Sequence, residues 1–253
     1  MPEGRVRGLI CYTYPMQPRF YMPAVKVTND TLVITDKDII RQITSILRLK
    51  KDDVFFIFTP QVEYELAIKN ISDTIIEAAV IEQRQAEREP TKKLILYQSL
   101  LKKDKFEWIL QKGVELGIHA FVPVVSDNSI TREISDNKLA RYHKIIIEST
   151  EQCGGVNIAP LDPLMKFDDA IRQVAKQPGQ KLIAWEGHTK NNLPSILDSS
   201  AAAYHLFIGP EGGYSPEEVD YAEQNGLTTV SLGKRILRAE TASIAAAALI
   251  LLP

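Results

Sequence analysis

Two strand–turn–helix passages near the C-terminus constrain the fold more than any other part of the chain. The first is Phe207-Ile208-Gly209-Pro210-Glu211-Gly212-Gly213-Tyr214-Ser215. The second is Leu232-Gly233-Lys234-Arg235-Ile236-Leu237-Arg238-Ala239-Glu240-Thr241-Ala242. Each reads as the end of a buried strand, a polar turn and the start of a helix. In an α/β sheet, turns at the carboxyl ends of strands are where ligands bind, so both turns are candidates for a site.

The rest of the chain suits that frame. From Leu94 onward, strands at Leu94–Tyr97, Ala120–Val125, Leu182–Trp185, His205–Ile208 and Thr228–Leu232 alternate with helical passages at 104–117, at 138–153, from Ser215 and at 240–251. That alternation predicts an α/β domain with a mostly parallel sheet and helices on both faces. Asp104 is placed to cap the first helix, which carries Phe106, Ile109, Leu110 and Val114 on one face, and Gly117 to end it. Ser215-Pro216-Glu217-Glu218 has the form of a capping box with proline at the first helical position.

Before that domain, residues 1–82 read as a small β-rich unit. Strands are expected at Ala24–Val27, Thr31–Ile34, Val54–Phe58, Tyr64–Ile71 and Thr74–Ile81. A helix over 38–49 is expected to bury Ile39, Ile40, Ile43, Ile46 and Leu47. The polar stretch 83–93 reads as the linker to residues 94–253.

Composition removes several classes. A formal net charge of −2 excludes binding to nucleic acid by bulk charge alone, though a local basic patch remains compatible. The only cysteines, Cys11 and Cys153, form no C-x-x-C motif, so neither a disulfide framework nor a structural zinc site is expected, in keeping with a reducing cytoplasm. Arg5 and Arg7 precede no long apolar core, so no signal peptide is expected. The apolar run Ile244–Leu252 is much shorter than the ~20 residues of a membrane span. His119, His143, His188 and His205 lack metal-ligand spacing, and His119 and His205 abut strands as structural residues do.

The turns themselves narrow the chemistry. Gly209, Gly212 and Gly213 permit close backbone approach or positive φ; an ordinary turn would use them too. Their spacing is neither the Rossmann G-x-G-x-x-G nor a P-loop. In the second turn, Lys234, Arg235 and Arg238 sit at a helix N-terminus. The helix dipole favours Glu240 there and disfavours cations, so an anionic partner better explains the three. The small residues Thr241-Ala242-Ser243-Ile244-Ala245-Ala246-Ala247-Ala248 suit either a crowded core helix or a subunit interface. Lys102, Lys103, Lys105 and Lys112 around Trp108 form either a solvated face or one that meets RNA phosphates and bases.

Taken in order, these segments resemble the 16S ribosomal RNA uridine-N3 methyltransferases (the RsmE family) of the SPOUT superfamily. The resemblance runs over nearly the whole chain: Pro18-Arg19-Phe20, Ile46-Leu47-Arg48-Leu49-Lys50, Lys103 to Lys112 with Glu115-Leu116-Gly117, Glu151-Gln152-Cys153-Gly154, and both C-terminal turns. Four places depart from the family pattern: Gln42, Thr59-Pro60-Gln61, Gly155, and Ser126-Asp127-Asn128-Ser129, where an arginine is lost.

The resemblance implies an α/β, trefoil-knotted SPOUT methyltransferase domain at 83–253 behind a PUA-like RNA-binding β-barrel at 1–82. It implies S-adenosylmethionine as cofactor, held by Gly209, Glu211, Gly213, Leu232, Gly233, Ile236, Leu237 and Thr241, and no metal. Arg238 and Arg235 are expected to stabilise the reacting base, and Glu211 or Glu240 to accept its proton or orient an arginine. Arg19, Arg48 and Lys105 are the expected RNA contacts. The implied partners are 16S ribosomal RNA in the small subunit and a second copy of the chain, bound through the knotted region, in the cytoplasm with no membrane association. Alternative functions are methylation of another RNA position, a non-catalytic assembly factor of the same fold, and a small-molecule α/β enzyme.

Overall fold

Short strands between residues 19 and 85 build the first of two sheets. The computed structural model describes residues 17–85, 89–187 and 191–252; Arg5, Arg7, Cys11, His188 and linker positions 86–88 lie outside them. The strands are β1 (Arg19–Tyr21), β2 (Val27–Thr28), β3 (Thr31–Ile34), β4 (Val54–Phe58), β5 (Val62–Ile71) and β6 (Ile76–Gln85). Their order is β1-β4-β5-β6-β3-β2. Only β1 and β4 run parallel.

The short β2 departs from the expected 24–27 strand. Asn29 and Asp30 take φ of 50° and 53°, the two positive values that a tight hairpin turn demands, and this fixes Thr28 opposite Thr31. At the other end, β6 continues through Gln85, past the expected boundary at 82, because Val62 to Glu65 of β5 still pair with it.

The helix over this sheet is also shorter than expected. Asp36 caps α1 (Lys37–Arg41) by accepting hydrogen bonds from Asp38 N and Ile39 N at 2.9 and 3.0 Å. The chain then widens into a π-helical turn at Gln42–Ile46, closed by Leu47 N to Gln42 O at 2.8 Å. The wider turn shifts the phase of the apolar stripe. Ile39, Ile40 and Ile43 pack on Phe20, Phe55 and Leu66, while Ile46 and Leu47, expected in the core, are exposed.

The second sheet comprises β7 (Lys93–Ser99), β8 (Ala120–Val125), β9 (Met165–Lys166), β10 (Gln180–Ala184), β11 (Ala203–Ile208) and β12 (Thr228–Val230). Its order is β12-β10-β11-β7-β8-β9, and every pair is parallel. On one face lie α2 (Lys105–Leu116), α3 (Asp136–Cys153) and α7 (Ala239–Leu251), packed on Leu94, Leu96, Leu182 and Leu206. On the other lie α4 (Phe167–Val174) and α6 (Pro216–Gln224), packed on Tyr97, Val122, Ile183 and Phe207. A short α5 (Leu193–Ile196) follows β10. Alternate residues of each buried strand thus serve opposite cores.

Helix ends follow their sequence signals with one exception. Ser215 and Glu218 form the expected capping box. Gly117 ends α2 at φ 84°, a left-handed position where a Cβ would also meet the ring of Pro90 at 2.4 Å. Asp104 does occupy the N-cap of α2, but its carboxylate makes no capping bond; its carbonyl starts the helix by accepting from Trp108 N. His205 is buried, with its Nε2 3.0 Å from Pro178 O and its Nδ1 3.4 Å from Tyr97 Oη. Burial therefore lowers the pKa of the imidazole and pushes the Tyr97 phenol up to about 12. Among the described residues, no helix is long and apolar enough to cross a membrane, and no group of three His, Cys, Asp or Glu residues is placed to hold a metal ion.

A buried ion pair lies within the first sheet, where it faces the end of α3. Glu63 on β5 receives Arg19 Nε at 3.0 Å and Arg84 Nε at 2.8 Å, and its side chain is only 6% exposed. Burial raises the carboxyl pKa, but the hydrogen bonds and charges of both arginines outweigh it and hold the group below its usual 4.5. A depressed folded pKa contributes stability above the unfolded value and loses it as pH falls through the folded one. Glu63→Gln is therefore expected to melt below the wild type at neutral pH. The gap should close as pH falls below 4.5; melting curves from neutral to acid pH test this, and a gap independent of pH would refute it.

Candidate active site

The order β12-β10-β11 brings three carboxyl-terminal strand ends together, at Ala184, Ile208 and Val230. The loops leaving them enclose a cavity of about 450 Å³. The first supplies Trp185 and Glu186, the second Gly209, Pro210, Glu211 and Gly213, and the third Ser231 to Arg238; Lys105 closes one side from α2.

The second loop is held on several sides. Gly213 N donates to Pro210 O at 3.0 Å, closing a tight turn. Gly213 takes φ +69°, the left-handed conformation that favours glycine, and its Cα side is approached by the Glu186 carboxylate. Asn128 Nδ2 donates to Gly212 O and Gly213 O at 3.3 and 3.2 Å, and Trp185 Nε1 to Tyr214 O at 3.2 Å. Asn128 thus pins the turn. From beneath, the buried Gln98 Nε2 donates to Ser99 O at 3.0 Å and to Ile208 O at 3.4 Å. Its Oε1 accepts from Ser243 Oγ on α7, tying that helix to the end of β11.

The third loop is fastened only at its start. Ser231 N donates to Asn191 O at 2.8 Å, and Gly233 N to Ser231 Oγ at 3.2 Å. Beyond that, the N–H groups of Lys234 to Leu237 make no backbone hydrogen bond within the described residues. A Cβ on Gly233 would meet nothing within 4 Å. Polar backbone therefore faces open space, the condition for binding a ligand or water. α7 then begins at Arg238 without a side-chain cap, and its small residues Ala242, Ser243, Ala246 and Ala247 are buried. The inward face of this helix is a crowded core, while Leu249 and Leu252 are exposed.

Charge is divided across the cavity. Lys105 Nζ lies 3.1 Å from Glu211 Oε1 and 3.6 Å from Glu240 Oε2, linking the two turns. Lys102 N also donates to Glu211, at 3.1 Å. Partial burial raises the Glu211 carboxyl, but these donors and the Lys105 charge outweigh it and keep its pKa below the usual range. Glu240 Oε2 is buried with no hydrogen-bond partner among the described residues. Opposite, Lys234, Arg235 and Arg238 are exposed and make no ion pair or side-chain hydrogen bond among the described residues.

Most of the expected residues converge. Gly209, Glu211, Gly213, Leu232, Gly233, Arg235, Ile236, Leu237 and Arg238 all line the cavity. Thr241 and Glu240 do not. Ala239 and Ala242 present the cavity face of α7, and the helical advance turns the two residues between them away; Thr241 is exposed. Lys105, the expected RNA contact, lines the cavity between two carboxylates. Arg48 is exposed at φ 55°. Arg19, expected at a phosphate, is buried and fully engaged: besides Glu63, it donates to the carbonyls of Thr150, Glu151 and Gly155. Trp185, Glu186 and Ser231 were not anticipated.

The sequence matches the RNA methyltransferase domain family over residues 87–251. Ribosomal RNA small subunit methyltransferase E of Mesomycoplasma hyopneumoniae is 35% identical over 171 residues, covering 66% of this chain and 73% of that one. The Bacillus subtilis protein of the same name is 30% identical over 225 residues, covering 85% and 87%. The crystal structure of the Neisseria gonorrhoeae ribosomal RNA small subunit methyltransferase E, bound to S-adenosyl methionine, superposes with a TM-score of 0.81 at 29% identity, covering 92% of this chain and 95% of that one. The fold is the SPOUT-type knotted α/β methyltransferase with a PUA-like barrel before it. The chain belongs to the ribosomal RNA small subunit methyltransferase E family.

Proposed function

We propose that the protein transfers a methyl group from S-adenosylmethionine to N3 of a uridine in 16S ribosomal RNA of the small ribosomal subunit. The observation that carries this reading is the cavity at the ends of β10, β11 and β12, where glycine-rich backbone meets a rim of three cations unpaired among the described residues. Its volume of about 450 Å³ falls in the range of small-molecule sites. The free N–H groups of 234–237, the open side of Gly233 and the uncapped α7 suit a polar nucleoside ligand. The Neisseria relative carries the same cofactor.

Backbone at Leu232, Gly233, Ile236 and Leu237 would hold adenine and ribose, with Gly209 and Gly213 as the facing wall. The cofactor supplies an electrophilic methyl group when bound. The chain's own task is to align the acceptor nitrogen and remove its proton. Arg238, assisted by Arg235, favours the anionic uridine, as a nearby cation lowers the pKa of an acid. Of the two carboxylates, Glu211 faces the cavity and is the proton acceptor. Lys105 keeps it ionised, and Glu240 balances Lys105. Because Lys105 also makes Glu211 a weak base, the arginines must acidify N3 for the transfer to proceed.

Residues 1–82 form the RNA-binding domain, with exposed Arg48 as a phosphate contact, and 83–253 the methyltransferase domain. Exposed Leu249 on α7, with Ile236 and Leu252 before and after it, serves a homodimer contact. The enzyme works in the cytoplasm, where the subunit is assembled.

The test is transfer of labelled methyl to small ribosomal subunits that lack native modification, followed by nucleoside mass spectrometry. The expected product is 3-methyluridine. Another methylated nucleoside would retain the cofactor and move the specificity. No transfer despite cofactor binding would leave a binding factor.

A further inference from the structure

The guanidinium of Arg19 joins the first sheet to the rest of the molecule. Arginine carries five N–H donors in a rigid fork, and all are used. Nε and Nη2 donate to Glu63 Oε2 at 3.0 and 2.5 Å. Nη1 donates to Thr150 O and Glu151 O at 3.4 and 3.3 Å, and Nη2 also to Gly155 O at 3.2 Å. Its side chain is 7% exposed and stacks over the Phe58 ring at 4.6 Å. A second strut runs beside it, Tyr21 N to Glu151 Oε1 at 2.9 Å.

The three carbonyls are those of the last turn of α3 and the residue past its glycine cap. A cation there satisfies carbonyls that have no helical partner and complements the negative end of the helix. α3 is in turn fixed to α2, where Arg141 pairs with Glu107 at 2.7 Å. α2 carries Lys105 into the cavity. A continuous rigid path thus runs from β1 through α3 and α2 to the candidate active site.

We propose that Arg19 is a positioning residue, which fixes the RNA-gripping first sheet at a set distance and angle from the methyl-transfer cavity, and not a phosphate contact. The proposal rests on the function proposed above. It predicts that Arg19 and Glu63 act as one unit. Removing either lets the two halves shift, and small misplacements of reacting groups cost rate steeply.

The experiment compares the wild type with Arg19→Gln, Arg19→Lys, Glu63→Gln, the Arg19→Gln/Glu63→Gln double variant and Arg48→Gln. It measures cofactor affinity, binding to unmodified small subunits across salt concentrations, and the kcat and KM of methyl transfer. Arg48→Gln should weaken subunit binding and reduce its salt slope by about one, as a phosphate contact does. Arg19→Gln and Glu63→Gln should each keep cofactor affinity, KM and salt slope while kcat falls roughly tenfold to a hundredfold. The double variant should be no worse than the poorer single. Arg19→Lys keeps the charge but loses the fork, and should resemble Arg19→Gln; it also serves if the glutamine variant fails to fold.

A shallower salt slope for Arg19→Gln with normal kcat, near wild-type behaviour of Arg19→Lys, or a silent Glu63→Gln beside an impaired Arg19→Gln would overturn the proposal. If the wild type itself transfers no methyl to RNA, the proposed function fails, while the salt slopes still decide whether Arg19 meets phosphate.

Discussion

Arg238→Ala is expected to slow methyl transfer roughly 10²- to 10³-fold, the loss typical of removing one group that stabilises charge developing in a reaction. Arg238 lines the cavity and is exposed there, its side chain without a hydrogen bond or ion pair among the described residues. It precedes α7 as the N-cap residue but makes no side-chain cap. Its truncation therefore breaks no structural bond, and stability should move by no more than about 0.5 kcal/mol. Cofactor affinity should hold, because the proposed adenosine cradle is backbone. A second signature separates the role in the reaction from a role in binding. If Arg238 acidifies uridine N3, the variant should regain rate as pH rises and the base ionises unaided. Single-turnover rates across alkaline pH measure this. A wild-type rate, or a loss carried wholly by KM, would remove Arg238 from the chemistry.

Much of this site was legible before the fold. Glycines at Gly209 and Gly213, and cations at a helix start where the dipole disfavours them, marked both turns, and both line the cavity. The third wall was not legible. Trp185 and Glu186 belong to it because β10 lies between β11 and β12, and strand order is set by long-range packing that no local pattern records. Side-chain direction was equally hidden. Thr241 misses the cavity because it is rotated by about 100° from Ala242 on the helix, and Lys105 enters it because Glu211 and Glu240 draw it in. Arg19 was identified but its partners were not, since they lie on β5 and at the end of α3, far along the chain. In the fold, α4 was absent from the sequence expectations although Phe167, Ala170, Ile171 and Val174 carry the helical spacing and are buried. The π-helical turn at Gln42–Ile46 had no local signal, and it took Ile46 and Leu47 out of the core.

The largest expected effect on stability is at Phe207. Its ring is fully buried on β11, stacked on Tyr97 at 4.2 Å with planes 6° apart and met edge-on by Phe167 at 6.0 Å. Those partners belong to β7 and α4, so collapse into the space left by truncation would have to move a central strand or a packed helix. Phe207→Ala should therefore cost ~3–5 kcal/mol, near the upper end for a core truncation. A total stability of roughly 5–15 kcal/mol makes that a large fraction. Phe207→Leu, which refills most of the volume, should cost clearly less. Urea unfolding would report a lower midpoint with an unchanged slope if only stability has moved. The effect reaches the site as well, because Ile208 and Gly209 follow directly and Gln98 holds the Ile208 carbonyl. Added S-adenosylmethionine should thus raise the melting temperature of Phe207→Ala less than that of the wild type, its end of β11 being less firmly held. A cost below ~1 kcal/mol would mean that the aromatic layer rearranges freely, and the rigid floor assigned to the cavity would be lost with it.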